Sequence, residues 1–264
     1  MTMLNALPHR LQRTVVIEAD RQIVFRYFTD SERWAAWWGA GSTIEPRPGG
    51  RVYIRHPEGT EVSGEVVEIA PPERIVFTYG FVTGKPIPPG SSRVTIRLEA
   101  HGNATRLHLS HEFADTAVRD EHVQGWRYQL SVFGNVVANQ VHAGADETVD
   151  AWFAAWSEPD AALREATLAR VAAPDIGFRD RFSLISGLDD LRPHLAAVHR
   201  FMPGLRIFRE GIIRQCQGTV LADWVARAAD GQERGRGTNV FVFSAAGRIE
   251  SVTGFWSVPR TEAR

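Results

Sequence analysis

Cysteine is almost missing from this sequence: Cys216 stands alone in 264 residues. That excludes an internal disulfide and fits a reducing compartment. An excess of either charge is missing too. Thirty Lys and Arg oppose 31 Asp and Glu for a formal net charge of −1, with basic residues scattered among acids. No basic stripe is available to grip nucleic acid or an anionic membrane, so neither is an expected partner. Long apolar runs are also lacking. No segment approaches the roughly 20 residues that span a bilayer, and Met1 to Thr14 contains no signal-like apolar core. A soluble, cytoplasmic protein is expected.

Chemistry-bearing motifs are equally sparse. The chain has no glycine-rich phosphate loop, no dinucleotide fingerprint and no Gly-x-Ser-x-Gly elbow. His108 and His111 fall on opposite faces of a strand, and His194 and His199 are five apart on a helix. Neither spacing makes a metal pair, so no metal and no cofactor are expected.

What the chain does have is tryptophan, eight in all, set in periodic apolar segments. The central stretch organises the rest. Trp126, Leu130, Phe133, Val137 and Val141 lie on one face of a helix beginning near Gly125. His142 to Glu147 breaks the pattern with small and polar residues, as a flexible joint would. A second apolar helix follows from Thr148, with Val149, Trp152, Phe153 and Trp156. Two domains are therefore expected, residues 1–142 and 147–264, which also suits the length.

In the first half, Arg13–Glu18 reads as a strand, Asp20 caps a short helix, and Ser31–Trp38 is a second helix closed by Gly39. Five alternating segments follow: Arg51–Arg55, Glu61–Ile69, Arg74–Tyr79, Arg93–Ala100 and Arg106–Phe113. The long helix is the one element able to cover such a sheet. Trp34 to Gly39, Arg47-Pro48-Gly49-Gly50, Gly64 to Thr78, Leu107 to His111 and Gly125-Trp126 resemble the Hsp90-ATPase-activator-homologue (AHSA1-type) domains of the START/Bet v 1-like (SRPBCC) superfamily. The proline common early in that family's first helix is replaced here by Arg21 or Gln22. The resemblance implies a helix-grip fold, often around an apolar cavity, and no particular reaction. Strand parity points His111 and Tyr79 inward. With Trp126 they are candidate ligand-binding residues, the plainer alternative for His111 being a hydrogen-bonded core histidine.

In the second half, Pro159-Asp160 opens a helix that runs to about Val171 and is ended by Pro174. Ile176, Phe178, Asp180 and Phe182 alternate as a strand. Gly187 to Met202 is helical, and strands cover Leu205–Cys216, Thr219–Ala228, Arg236–Phe243 and Arg248–Val258. This order, with Gly237 to Phe243 and Gly247 to Val252, resembles the SnoaL-like branch of the NTF2-like superfamily. The fold class expected for the whole chain is thus α+β: a helix-grip domain followed by an NTF2-like cone.

That superfamily includes polyketide cyclases, ketosteroid isomerase and many non-catalytic domains, so fold decides no activity. Ketosteroid isomerase uses an aspartate base with a tyrosine and a protonated acid holding the oxyanion. Asp175 to Asp180 resembles the stretch that ends in the base, which implies Asp180 for that role. By the same resemblance Trp152 stands at the tyrosine and Asn239 at the second acid. Both keep an N–H donor, though poorer ones. The bland alternatives are an Asp180 bonded to backbone or to Arg179 or Arg181, a core Trp152 and an Asn239 that satisfies strand edges. Trp224, Asp223, His199 and Phe178 are further candidates for ligand contact; Cys216 reads as packing. The function expected is binding of a small apolar or aromatic molecule, with proton transfer in the NTF2-like pocket. A non-catalytic sequestering protein and an Hsp90 co-chaperone are the alternatives. Homodimerisation through the second sheet is expected from the resemblance.

Overall fold

The computed structural model describes residues 6–257, and these divide between Ala138 and Asn139 into two compact units. Both are mixed α+β, a helix-grip unit and an NTF2-like unit.

The first unit opens with β1 (His9–Ile17), then α1 (Arg21–Arg26) and α2 (Ser31–Trp38). Strands β2 (Thr43–Ile44), β3 (Arg51–Arg55), β4 (Glu61–Ala70), β5 (Arg74–Tyr79), β6 (Ser92–His101) and β7 (Ala104–Phe113) follow, and α3 (Thr116–Val141) closes the unit. The sheet order is β1-β7-β6-β5-β4-β3-β2, antiparallel throughout. Asp20 and Asp30 cap α1 and α2 by accepting the backbone N–H groups of Gln22 and Arg33. At the end of α2, Gly39 has φ +137°, and a Cβ there would collide with the carbonyl oxygen of Arg55. Only glycine lets the helix end so close to β3.

Helix α3 begins three turns earlier than its apolar stripe suggests. Asp115 caps it by accepting from the Val118 N–H at 3.1 Å, and the first turns are polar, so periodicity does not register them. Its buried face carries Trp126, Leu130, Phe133 and Val137. Phe133 packs at 5.3 Å from Phe28 and 4.9 Å from Trp37, ring centre to ring centre, tying α3 to α2 and to the turn after α1. The Gln129 amide donates to the Trp37 carbonyl. Strand β1 is longer than its β-branched segment, because it pairs with β7 from His9↔Phe113 to Ile17↔Thr105. Strand β2 is too short for a pattern to form.

His111, wholly buried, closes a relay in this core. The Trp126 indole N–H donates to its Nδ1 at 2.9 Å, which leaves the proton on Nε2. Nε2 then donates to Ser92 Oγ at 2.8 Å, and Ser92 donates to the Tyr79 carbonyl at 2.9 Å. Each polar atom is spent inside the protein, so the core-histidine alternative is the one observed.

The second unit contains α4 (Ala145–Ser157), α5 (Ala161–Val171), β8 (Ala172–Arg179), β9 (Leu184–Ser186) and α6 (Leu188–Phe201). Four long strands complete it: β10 (Arg206–Cys216), β11 (Thr219–Arg227), β12 (Glu233–Phe243) and β13 (Ile249–Trp256). The sheet order is β10-β11-β12-β13-β8-β9, with β13 and β8 parallel. Val258, expected in the last strand, lies outside the described residues. Pro174 does not end α5. It sits within β8, exposed, where the register against β13 shifts between Ile249 and Ser251, and a bulged stretch tolerates its missing N–H.

The expected joint is only His142-Ala143-Gly144, and it is anchored. His142 is 3% exposed and donates from Nε2 to the Ser244 carbonyl at 2.9 Å. Val149, Trp152, Phe153 and Trp156 form the buried face of α4. Among the described residues no helix is long and apolar enough to cross a membrane.

Burial, with His122 nearby, holds the His111 imidazole well below its ordinary pKa, so the folded protein keeps it neutral. The unfolded chain takes up that proton below about pH 6.5, so the stabilisation present above this pH is lost as pH falls. The expected slope is about 1.4 kcal/mol per pH unit, in a window above the carboxylate range. Denaturant unfolding of the first unit should therefore show a lower midpoint at pH 5.5 than at pH 7.5. An unchanged midpoint would mean that His111 protonates in place.

Candidate functional site

The second unit holds a cavity of about 400 Å³ between α4, α6 and the inner face of the sheet. Its walls are mainly aromatic and aliphatic: Trp152, Trp156, Phe178, Val198, Leu205 and Trp224. Five polar side chains interrupt them, Asp180, Ser183, His194, Arg234 and Asn239. Such a hollow, apolar with a few convergent polar groups, has the character of a small-molecule site.

Asp180 and Asn239 meet at one corner, where Gly254 leaves space. A Cβ on Gly254 would sit 3.1 Å from Asn239 Oδ1 and 3.2 Å from Asp180 Cβ. An indole N–H fixes each group. Trp256 Nε1 donates to Asp180 Oδ2 at 3.0 Å, and Trp224 Nε1 donates to Asn239 Oδ1 at 2.9 Å. The two indoles stand edge to face, 4.9 Å apart. Because an indole nitrogen can only donate, the Asn239 atom it meets must be the carbonyl oxygen, which leaves the amide NH2 as the donor for a ligand.

Asp180 does not continue an alternating strand. Strand β8 ends at Arg179, and the chain turns: Asp180 N–H donates to the Ser183 carbonyl, and Asp180 Oδ1 accepts the Phe182 N–H at 2.8 Å. Strand β9 then returns antiparallel to β8. Phe182 is consequently not an inward strand residue; it is 69% exposed, its ring 5.3 Å from Trp256 at the pocket mouth. The backbone bond foreseen as an alternative for Asp180 is real, while Arg179 and Arg181 turn elsewhere, to Thr253 and the Phe182 ring.

The other candidates distribute as follows. Phe178 and Trp224 line the cavity, buried. Trp152 does so as well, 1% exposed, among Trp156, Phe178 and Phe241. Asp223 is a correction. Ala222, Trp224 and Ala226 take the inner face of β11, so Asp223 points out, accepting from Thr238 at 2.5 Å and pairing with Arg214. His199 is another. His194 and Val198 of α6 and Met202 at its C-cap line the cavity, and His199 is turned about 100° from Val198. Sequence reading missed His194 and Trp256, although His194 shares the helical stripe of Leu191, Leu195 and Val198 within one position. His194 packs against Trp156 and Phe178 at 5.8 and 6.4 Å. Burial lowers its pKa, partly opposed by Asp180, which keeps the ring neutral near pH 7. Trp156 adds a buried Nε1–H without a partner among the described residues. In the first unit, His111 is sealed in the core, while Tyr79 and Trp126 border a separate cavity. Among the described residues no cluster of His, Cys, Asp and Glu could hold a metal.

Residues 18–138 match the family "Activator of Hsp90 ATPase homolog 1-like protein" and residues 149–252 match "SnoaL-like domain". No curated protein matches the chain. Among solved structures, a proposed isomerase of the SnoaL-like family from Agrobacterium tumefaciens is 24% identical over 45% of this chain and 99% of its own, with a TM-score of 0.41. CalU16 from Micromonospora echinospora is 24% identical over 59% of this chain and 88% of its own, with a TM-score of 0.42. The Aha1 dimer from Colwellia psychrerythraea is 15% identical over 46% of this chain and 90% of its own, with a TM-score of 0.41.

Gly254→Ala tests the corner directly. Its methyl group must displace Asn239 or Asp180 by a few tenths of an ångström, so affinity for pocket ligands should fall about tenfold while thermal stability changes little. Calorimetric titration of the variant, beside its melting curve, measures both.

Proposed function

We propose that this tandem of an AHSA1 domain and a SnoaL-like domain uses its second domain to bind a small apolar or aromatic carbonyl compound and to move a proton on the carbon beside the carbonyl. The reading rests on one observation. A carboxylate and an amide, each fixed by an indole N–H, share the corner of an otherwise apolar cavity.

Asp180 is the base. Two N–H donors occupy two of its roughly four acceptor positions and set its direction, leaving lone pairs for a substrate proton. The Asn239 amide donates to the carbonyl oxygen as it gains negative charge. Trp152 and Trp156, one helical turn apart on α4, form the aromatic wall beside them. The proton taken up by Asp180 returns from it to the product, while His194 stays neutral on the same cavity. Isomerisation and ring closure both begin with such a proton abstraction.

A non-catalytic binder is the second reading. What favours it is that both oxygens of Asp180 already accept bonds within the protein.

Deuterium exchange at the carbon next to the carbonyl of cyclic aryl ketones such as 2-tetralone, followed by NMR, separates the two. Asp180→Asn should slow exchange by about a hundredfold or more while preserving affinity and fold. Ketones that bind the unaltered protein without exchanging would establish the binder. A second variant, Trp256→Phe, should keep the cavity and lose about tenfold in exchange by releasing one oxygen of Asp180.

A further inference from the structure

Strand β12 is irregular where it borders the cavity of the second unit. Gly235, Gly237 and Asn239 alternate along its inner face, against Trp256 and Trp224. Strict alternation would send Arg234 outward with Arg236 and Thr238. The ladder prevents it. Ala226 of β11 pairs with Gly235 and Arg227 pairs with Glu233, so Arg234 is the extra residue of a β-bulge, a device that re-aims a side chain. Arg234 accordingly lines the cavity. We propose that this bulged arginine determines specificity, and that the guest is an aromatic carbonyl compound bearing a carboxylate at the end away from Asp180. The position of the carbonyl rests on the proton-transfer reading; the position of the acid rests on the bulge.

Charge sets the two ends apart. Among the described residues that line the cavity, Arg234 is the one permanent cation and Asp180 the one acid, with His194 neutral. The neighbouring cation on the strand is already committed. Arg236 meets both oxygens of Glu233 at 2.7 Å, and Glu210 lies 3.7 Å away. The ion pair of Arg234 is with Asp230, at 3.8 Å, with both side chains more than half exposed, an arrangement worth little in water. Its guanidinium can exchange that pair for two parallel bonds to a carboxylate. Asp180 repels the same group, so the acid decides which end of the guest enters first and delivers the carbonyl to Asn239.

An aromatic floor joins the ends. A Cβ at Gly235 would meet the Trp256 ring at 2.5 Å, and one at Gly237 the Trp224 ring at 2.9 Å, so both indoles rest directly on β12. From Asn239 to Arg234 the strand advances roughly 16 Å, at about 3.3 Å per residue, less the reach of the two side chains. A flat, elongated guest lying on the indoles bridges that distance, with its polar groups at opposite ends.

Calorimetric titration of the full chain at pH 7 with 2-tetralone-6-carboxylate, its methyl ester and 2-tetralone tests the assignment. The carboxylate should bind about tenfold more tightly than the ester, and the margin should shrink as salt is raised from about 0.01 M to about 1 M. Arg234→Gln should abolish the margin, and Arg234→Lys should restore part of it. Deuterium exchange on the same ketones keeps the two readings apart. An Arg234-dependent margin without exchange would sink the proton-transfer reading and sustain this one. Exchange of 2-tetralone with carboxylate and ester bound equally would overturn this one alone. A margin unaltered by Arg234→Gln or by salt, or no binding of any of the three, would overturn it as well.

Discussion

An indole nitrogen is a donor and nothing else, and that restriction sets the chemistry of both domains. Where Trp126 meets His111, it forces the lone pair onto Nδ1 and so sends the proton toward Ser92. Where Trp224 meets Asn239, it takes the carbonyl oxygen and leaves that side chain its NH2 group for a guest. Where Trp256 meets Asp180, it holds one carboxylate oxygen and leaves the remaining lone pairs directed by geometry. The same ring that builds the apolar wall thus decides the orientation of the polar group beside it. At Trp126, Trp224 and Trp256, apolar volume and polar direction come from one residue type.

Much of this was legible from the chain. The stripe Trp126, Leu130, Phe133, Val137 marks the buried face of α3, and alternation over Arg51–Arg55 and Arg74–Tyr79 coincides with β3 and β5. Those readings succeed because one buried face imposes one period. They fail where an element starts or stops on local bonds. Asp115 begins α3 through a cap, and Asp180 ends β8 through a side-chain bond to the Phe182 N–H, which a period of two cannot reveal. The parity argument reached Asp180 but carried Phe182 inward with it, one turn too far.

The site residues show the same division. Asn239 and Trp224 face the cavity because strand positions fix side-chain direction within narrow limits, and the turn after β8 brings Asp180 beside them. On helices the phase accumulates at 100° per residue, and a choice off by one turns a residue away from the cavity. His199 was chosen and His194 is present; Trp152 was given the donor role, while Trp156 holds the unspent N–H. Trp256 was not distinguishable in the sequence. Its importance arises from β13 pairing beside β12 and parallel to β8, a long-range arrangement that places its indole against Asp180.

The two domains also illustrate how a buried polar group can be resolved in opposite ways. The relay from Trp126 to the Tyr79 carbonyl is closed, so its polarity contributes to a unique core and offers nothing to a ligand. The corner of the second domain is closed on one side only. Trp224 satisfies part of Asn239, Trp256 and the Phe182 N–H satisfy part of Asp180, and both side chains border a cavity that water or a guest can fill. A half-satisfied pair is costly if sealed in apolar surroundings and useful if it borders an opening. Asp180 and Asn239 border one, at the end of a strand and beside a glycine whose missing side chain keeps them in proximity. The position of that opening, more than the presence of a carboxylate, distinguishes a site from a core.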